Sequence, residues 1–273
     1  MKRLGHYAGI IFIMFWGLAP FYWMVITALR DKRFTFDTTP WPTHVTLENY
    51  RDALATDAGN DFLGAIFNSL IISLATTALA VAVGVFTAYA LARLDFRGKG
   101  FITGIILAAS MFPGIALVTP LFQLFGDLGW IGTYRAMIIP NISFALPLTI
   151  YTLVSFFQQL PWELEEAARV DGASRGQAFR LILLPLAAPA IFTTAILAFI
   201  TTWNEFMLAR QLSSTATEPV TVAIARFSGP SAFEYPYAAI MAAGSLVTIP
   251  LIIMVLVFQR RIVSGLTAGG VKG

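Results

Sequence analysis

Six long apolar stretches limit what this chain can fold into. They run over residues 8–29, 62–92, 101–125, 136–157, 187–208 and 238–258. Each holds the roughly 20 mostly apolar residues that carry a helix across about 30 Å of hydrocarbon. Only 12% of the 273 residues are charged and 57% are hydrophobic, against about 25% and 45–50% in soluble globular chains. Too few charges remain to clothe a water-facing surface, so the expectation is an all-α membrane protein with six transmembrane helices. A formal net charge of +3, scattered along the chain, leaves no nucleic-acid footprint. The lack of cysteine excludes a disulfide framework and a thiolate metal site. The histidines, His6 and His44, lie in polar flanks far apart in sequence, a poor basis for a metal centre.

The stretches are not plain anchors. Pro113, Pro120, Pro140, Pro147 and Pro250 interrupt them, and Asn68, Gln123 and Asn141 lie within them. Helices packed in a bundle carry such residues because neighbours satisfy the freed polar groups, and the asparagines and the glutamine read as interhelical glue before ligand groups. The first stretch follows Lys2 and Arg3 as a signal peptide would. Its apolar run is too long for one, and no small-residue cleavage site precedes Arg30, so it reads as a retained anchor. Lys2, Arg3, Arg93, Arg97, Lys99, Arg169, Arg175, Arg180, Arg260, Arg261 and Lys272 fall on one side of the predicted topology, 11 of the 18 basic residues. The positive-inside rule then puts both termini in the cytoplasm, with Arg30, Lys32 and Arg33 as a local violation. Residues 1–7 and 259–273 become cytoplasmic ends, 8–258 the membrane domain and 158–186 an inner loop.

Two outer segments are short. In 30–61, Thr46 suits the N-cap of a small surface helix. The other, 209–237, holds Gly229, Pro230 and the aromatics Phe227, Phe233, Tyr235 and Tyr237. The inner loop is richer. From Leu160 to Gly172 it reads as a helix with Pro161 at the first position and Glu163, Glu165 and Glu166 at the positive end of the macrodipole. Glu165 and Arg169 have i,i+4 spacing, and Gly172 supplies the left-handed residue that ends a helix. Leu164, Ala167 and Ala168 share one shallow face. Ser174 and Gln177 have capping-box spacing for a second helix, stopped by Pro185. Two short helices around a glycine bend make a docking projection.

That loop also resembles a known one. Glu166-Ala167-Ala168, Gly172, Ile182 and Leu184-Pro185, separated by three, nine and one residues, are similar to the EAA loop of the membrane subunits of binding-protein-dependent ABC importers. Phe112-Pro113, Pro120-Leu121-Phe122, Trp203-Asn204-Glu205-Phe206 and the tail from Gln259 to Gly273 resemble the carbohydrate branch. Within it the chain is similar to MalG-type permeases, actinobacterial trehalose-importer permeases among them, over essentially its whole length. The resemblance implies the type I importer permease fold. It makes the EAA segment a coupling helix seated in a nucleotide-binding ATPase subunit, with Glu165, Glu166, Ala167, Ala168, Asp171, Gly172 and Pro185 as the coupling residues. By the same resemblance Ser264, Gly265, Leu266 and Thr267 add a second ATPase contact, on a tail that its glycines let run thin and extended; an ordinary loose chain end is the other reading. The implied partners are a second permease, two ATPase subunits, an extracytoplasmic sugar-binding protein, a sugar and the lipid bilayer. The segment 213–237 would meet the binding protein, or is an ordinary loop.

No run of the form Gly-x-x-x-x-Gly-Lys-Ser/Thr is present to cradle phosphates. The chain is therefore expected to be no enzyme and to hold no cofactor or metal, with ATP and Mg on partner subunits. Trp203, Asn204, Glu205 and Tyr151 are candidates for the sugar path. Glu205 also reads as a structural group near the outer interface or as a proton-coupling one, and Tyr89, Phe144, Tyr151 and Trp203 as flat faces on which a sugar ring could sit or, more often in spans, as packing aromatics. The alternative function is an ion-coupled secondary sugar carrier with Glu205 titrating, though neither inverted repeats nor midplane broken helices stand out.

Overall fold

The computed structural model describes residues 2–55, 61–227 and 236–270, with side chains for 5–55, 61–227 and 236–258. Among these residues the secondary structure is helical apart from one isolated bridge between Arg30 and Val45. Among the described residues five helices are long and apolar enough to span a membrane: Gly5–Leu29, Phe62–Arg93, Tyr134–Gln159, Arg175–Trp203 and Tyr237–Phe258. The third expected span is not one rod. Its halves, α4 (Lys99–Ser110) and the stretch Gly114–Asp127 that contains α5 (Val118–Asp127), meet at 88°. Pro113 is the cause: it has no N–H for the preceding turn, and it sits extended at φ −68°, ψ 112°.

The fifth span also departs from expectation. Pro185 does not stop the second loop helix; it sits in the first turn of α9 (Leu184–Trp203), where its missing N–H costs little. The chain reaches it without a break through α8 (Arg175–Ala178) and a π-turn, Phe179–Leu183. The wider turn makes room for the proline ring. At the other end α9 stops at Trp203, with Asn204 as its cap, and α10 (Met207–Leu212) is separate. Glu205 therefore lies in a break between helices and not inside a span.

The chain forms two compact units, residues 1–66 with 220–252 and residues 67–219 with 253–273. In the first, α1 (Lys2–Leu29) ends beside α2 (Glu48–Leu54). The cap of α2 is displaced by one residue from the expected place: Leu47 holds the cap position, while Thr46 Oγ1 still accepts from Glu48 N at 3.1 Å. Asn49, fully buried, donates Nδ2 to the carbonyls of Ala28 at 2.9 Å and Arg30 at 2.6 Å, meeting two carbonyls that the end of α1 leaves open. The basic cluster that broke the orientation rule finds its partners on the spot. Arg30 is buried over the Trp23 ring and donates to the carbonyls of Asp37 and Thr39. Lys32 pairs with Asp52 at 2.6 Å and Glu48 at 3.5 Å, and Arg33 grips Asp31. The Asp52 hydrogen bond holds the Lys32 ammonium above its ordinary pKa.

The second unit is built on α3 (Phe62–Arg93), α6 (Tyr134–Gln159) and α9, of which α6 and α9 pack along each other. Ala80, Ala145 and Ala198 meet at one level. Below them Val85, Ala88 and Ala92 of α3 meet Leu153 and Phe157 of α6 and Leu183, Ala187 and Ala190 around the start of α9. Small residues let helix backbones approach closely where hydrocarbon gives no hydrophobic push. Asn141 does not glue helices: its Nδ2 donates to Met137 O in its own helix at 2.9 Å. Gln123 is exposed on α5. The tail departs from the extended form expected of it. α12 (Tyr237–Gly270) stays helical to Gly270: no proline follows Pro250, and a glycine costs a helix only about 1 kcal/mol, against about 3 for a proline.

Candidate functional site

The bend between α7 (Glu163–Val170) and α8 is a Schellman turn built as the local chemistry requires. Gly172 adopts φ +90°, its N–H bonds Arg169 O at 3.1 Å, and Ala173 N bonds Ala168 O at 2.9 Å. The capping box forms in both directions: Ser174 N donates to Gln177 Oε1 at 2.8 Å and Gln177 N donates to Ser174 Oγ at 3.3 Å. An open concavity of about 810 Å³ lies in the crook, lined by Glu166, Arg169, Gly172, Arg175 and Gln177 among others. Glu166, Ala167, Asp171 and Gly172 are exposed along it or beside it, and Val170 stands 87% exposed. The bend presents a mixed polar and small-residue surface with rigid backbone beneath.

Three expectations for α7 are corrected. Pro161 does not open the helix; α7 begins at Glu163, with Trp162 in the cap position. The Glu165–Arg169 pair does not form, because Glu165 turns inward and is 7% exposed while Arg169 stays outside. Leu164, Ala167 and Ala168 do not make one free face either. Ala168 is buried and Ala167 exposed, since the helix packs its own inner side against the protein. Pro185 sits exposed at the start of α9.

The inward side of α7 meets residues that the sequence did not connect with it. The Tyr89 hydroxyl donates to Glu165 Oε1 at 3.2 Å. Arg93 Nη2 donates to Leu160 O at 2.5 Å, and its guanidinium lies 4.3 Å from the Trp162 ring centroid. Of these, Tyr89 was a candidate sugar platform and Arg93 an orientation marker; the only local hint was an amphiphilic end to an otherwise apolar helix.

The sugar-path candidates do not share one surface. Trp203 is 1% exposed and stacks on Phe199 at 5.5 Å, whereas Tyr151 is 67% exposed on α6. Asn204 Nδ2 donates to Ile200 O at 2.8 Å. Glu205 folds over the start of α10, accepting from Leu208 N at 2.7 Å and Ala209 N at 3.0 Å. The cavity that Glu205 lines with Ser69, Ser73, Asn141 and Thr202 measures about 10 Å³, room for one water and not for a sugar ring. Of the segment 213–237, residues 228–235 lie outside the described ones, and so do the side chains of Ser264, Leu266 and Thr267. The near limb is anchored: Asn68 Nδ2 donates to Ala216 O at 3.2 Å and Glu218 O at 3.0 Å, and Thr217 Oγ1 to Gly132 O at 3.1 Å.

The chain is similar to the trehalose transport system permease protein SugB of Mycobacterium tuberculosis, 48% identical over 94% of this chain and 93% of that one. It is 42% identical to the trehalose/maltose transport system permease protein MalG of Thermococcus litoralis, over 100% of this chain and 98% of that one. Among solved structures, a chain of a bacterial ABC transporter that imports the acidic polysaccharide alginate shares the fold. It matches with a TM-score of 0.76 at 22% identity, covering 95% of this chain and 96% of that one. A family profile described as the inner membrane component of binding-protein-dependent transport systems matches residues 80–267. An all-α bundle with an EAA bend, full-length relatives and that profile agree: the chain belongs to the family of inner membrane components of binding-protein-dependent transport systems.

Proposed function

We propose that the chain is the carbohydrate-translocating permease subunit of an ATP-driven importer. It works with a second permease, two ATPase subunits that hold the ATP and Mg and carry out hydrolysis, and an extracytoplasmic sugar-binding protein. Relatives named for trehalose and maltose, matched over more than nine-tenths of the chain, support a sugar as cargo. The observation that carries the mechanism is the EAA bend. Its exposed Glu166, Ala167, Asp171 and Gly172 border a concavity on one side, and its inner side is packed into the bundle. ATP binding closes the ATPase dimer, the bend moves with the cleft that holds it, and the bundle passes between inward-open and outward-open states. Both termini face the cytoplasm in this reading, and the end of α12 around Ser264–Thr267 gives the ATPase a second contact. The segment 213–237 faces the binding protein, and Asn204, Glu205, Tyr151 and Trp203 are the positions to probe for the sugar path.

The test is trehalose uptake by proteoliposomes holding the complete importer with its binding protein. Uptake should require internal ATP and survive collapse of ion gradients; uptake without ATP would overturn the reading. Glu166→Lys should release the ATPase subunit during purification, and undiminished co-purification would remove Glu166 from the interface.

A further inference from the structure

Glu165 belongs to the EAA helix yet faces away from its exposed side. It is 7% exposed, and Arg93, at the end of α3, is 5% exposed. Tyr89, one turn before Arg93, gives its hydroxyl to Glu165 Oε1 from 76 residues upstream. Arg93 holds the corner between α6 and α7 at two points, the Leu160 carbonyl and the Trp162 ring. The Tyr89 ring packs on Phe157 of α6 at 6.2 Å and on Phe179 of the π-turn at 4.5 Å. One side of α3 thus touches α6, the α6–α7 corner, α7 and the π-turn. Among the described residues, buried Glu165 Oε2 and Arg93 Nε and Nη1 find no hydrogen-bond partner. Buried polar groups rarely stay unsatisfied without a role, and a surface made only for docking gains nothing from a carboxylate on its reverse side.

We propose that Tyr89, Arg93 and Glu165 form a transmission clasp that makes α3 move with α7 when the exposed side of the bend is displaced. The chain itself joins α7 to α6 and, through α8 and the π-turn, to α9. α3 has no such covalent link nearby, and the clasp supplies its polar grip on α7. This rests on the reading of the chain as a permease driven through the bend. The three are positioning residues, touching neither sugar nor nucleotide.

The complete importer is reconstituted with Tyr89→Phe, Glu165→Leu and Glu165→Gln, and sugar uptake per ATP hydrolysed is read on assembled complex. Tyr89→Phe and Glu165→Leu should lower that ratio about fivefold or more, the lower end of usual coupling energies, while the ATPase subunit still co-purifies. Glu165→Gln keeps a carbonyl acceptor for Tyr89 and should recover most of it. A loss confined to abundance does not move the ratio. A ratio within about twofold of wild type for Tyr89→Phe and Glu165→Leu, below the usual range of coupling, overturns the clasp, and so does loss of the ATPase subunit from Tyr89→Phe. ATP-independent uptake by the wild type would instead overturn the functional reading.

Discussion

The Tyr134 hydroxyl donates to Asn68 Oδ1 at 2.5 Å, joining the start of α6 to α3 through a side chain that also holds the carbonyls of Ala216 and Glu218. Asn68→Leu strips the partner from all three. A buried group left unsatisfied costs about 1–3 kcal/mol, so this variant should lower the thermal midpoint in detergent and expose the 213–219 segment to protease. Tyr134→Phe removes one bond and should cost about 0.5–1.5 kcal/mol. Midpoints equal to wild type for both would show that the network does not hold the segment.

Gly172 carries φ +90°, and a Cβ built there meets no atom of the described residues within 4 Å. Within this chain strain, and not crowding, therefore decides what the position tolerates. A left-handed L-residue costs about 1–2 kcal/mol, least for Asn, and a β-branched one is a true outlier. Gly172→Asn should keep most uptake, while Gly172→Val should abolish it at normal membrane abundance. Normal uptake by Gly172→Val would mean that the bend need not keep this geometry.

Arg33 donates Nε to Asp31 Oδ1 and Nη2 to Asp31 Oδ2, both at 3.1 Å. That side-chain hydrogen bonding, with the Arg33 backbone N–H, lowers the Asp31 carboxyl from 3.8 to about 2. A depressed carboxylate pKa stabilises the fold above the unfolded value and loses that contribution as pH falls through the folded one. The difference in thermal midpoint between wild type and Asp31→Asn should thus be equal at about pH 5 and 7 and shrink between about pH 4 and 2. A difference that changes between pH 5 and 7 would assign the titration to another group.

What the sequence made legible was local. Gly172, Ser174 and Gln177 act within a turn of one another, so the bend could be read from spacing alone, and apolar length located the spanning helices. The failures came from context. Pro113 announces an interruption, but proline sets only φ, so neither the 88° angle between the halves nor which carbonyls go unbonded follows from it. Pro185 looked like a stop because the π-turn that accommodates it has no sequence mark. Arg169 lay at the right spacing for Glu165, but helix rotation was set by packing that buried Glu165 and left Arg169 in solvent. Tyr89 came to Glu165 from a distant helix, beyond the reach of any periodicity.

At Gly84 α3 and α6 approach closely. A Cβ added there would lie 2.5 Å from Thr149 Cγ2, with Thr149 fixed by its hydroxyl, which donates to Ala145 O at 2.8 Å. Gly84→Ala gains helix propensity, worth up to about 1 kcal/mol, yet it must push apart two helices that pack through small side chains. Overpacking costs about 1–3 kcal/mol, so the net effect should be destabilising. Thr149→Ser deletes only the clashing methyl and keeps the hydroxyl. The double variant Gly84→Ala with Thr149→Ser should therefore recover stability lost by Gly84→Ala, a coupling read from a double-mutant cycle of thermal midpoints. Purely additive effects would mean that the two helices are not in contact at this level in the membrane.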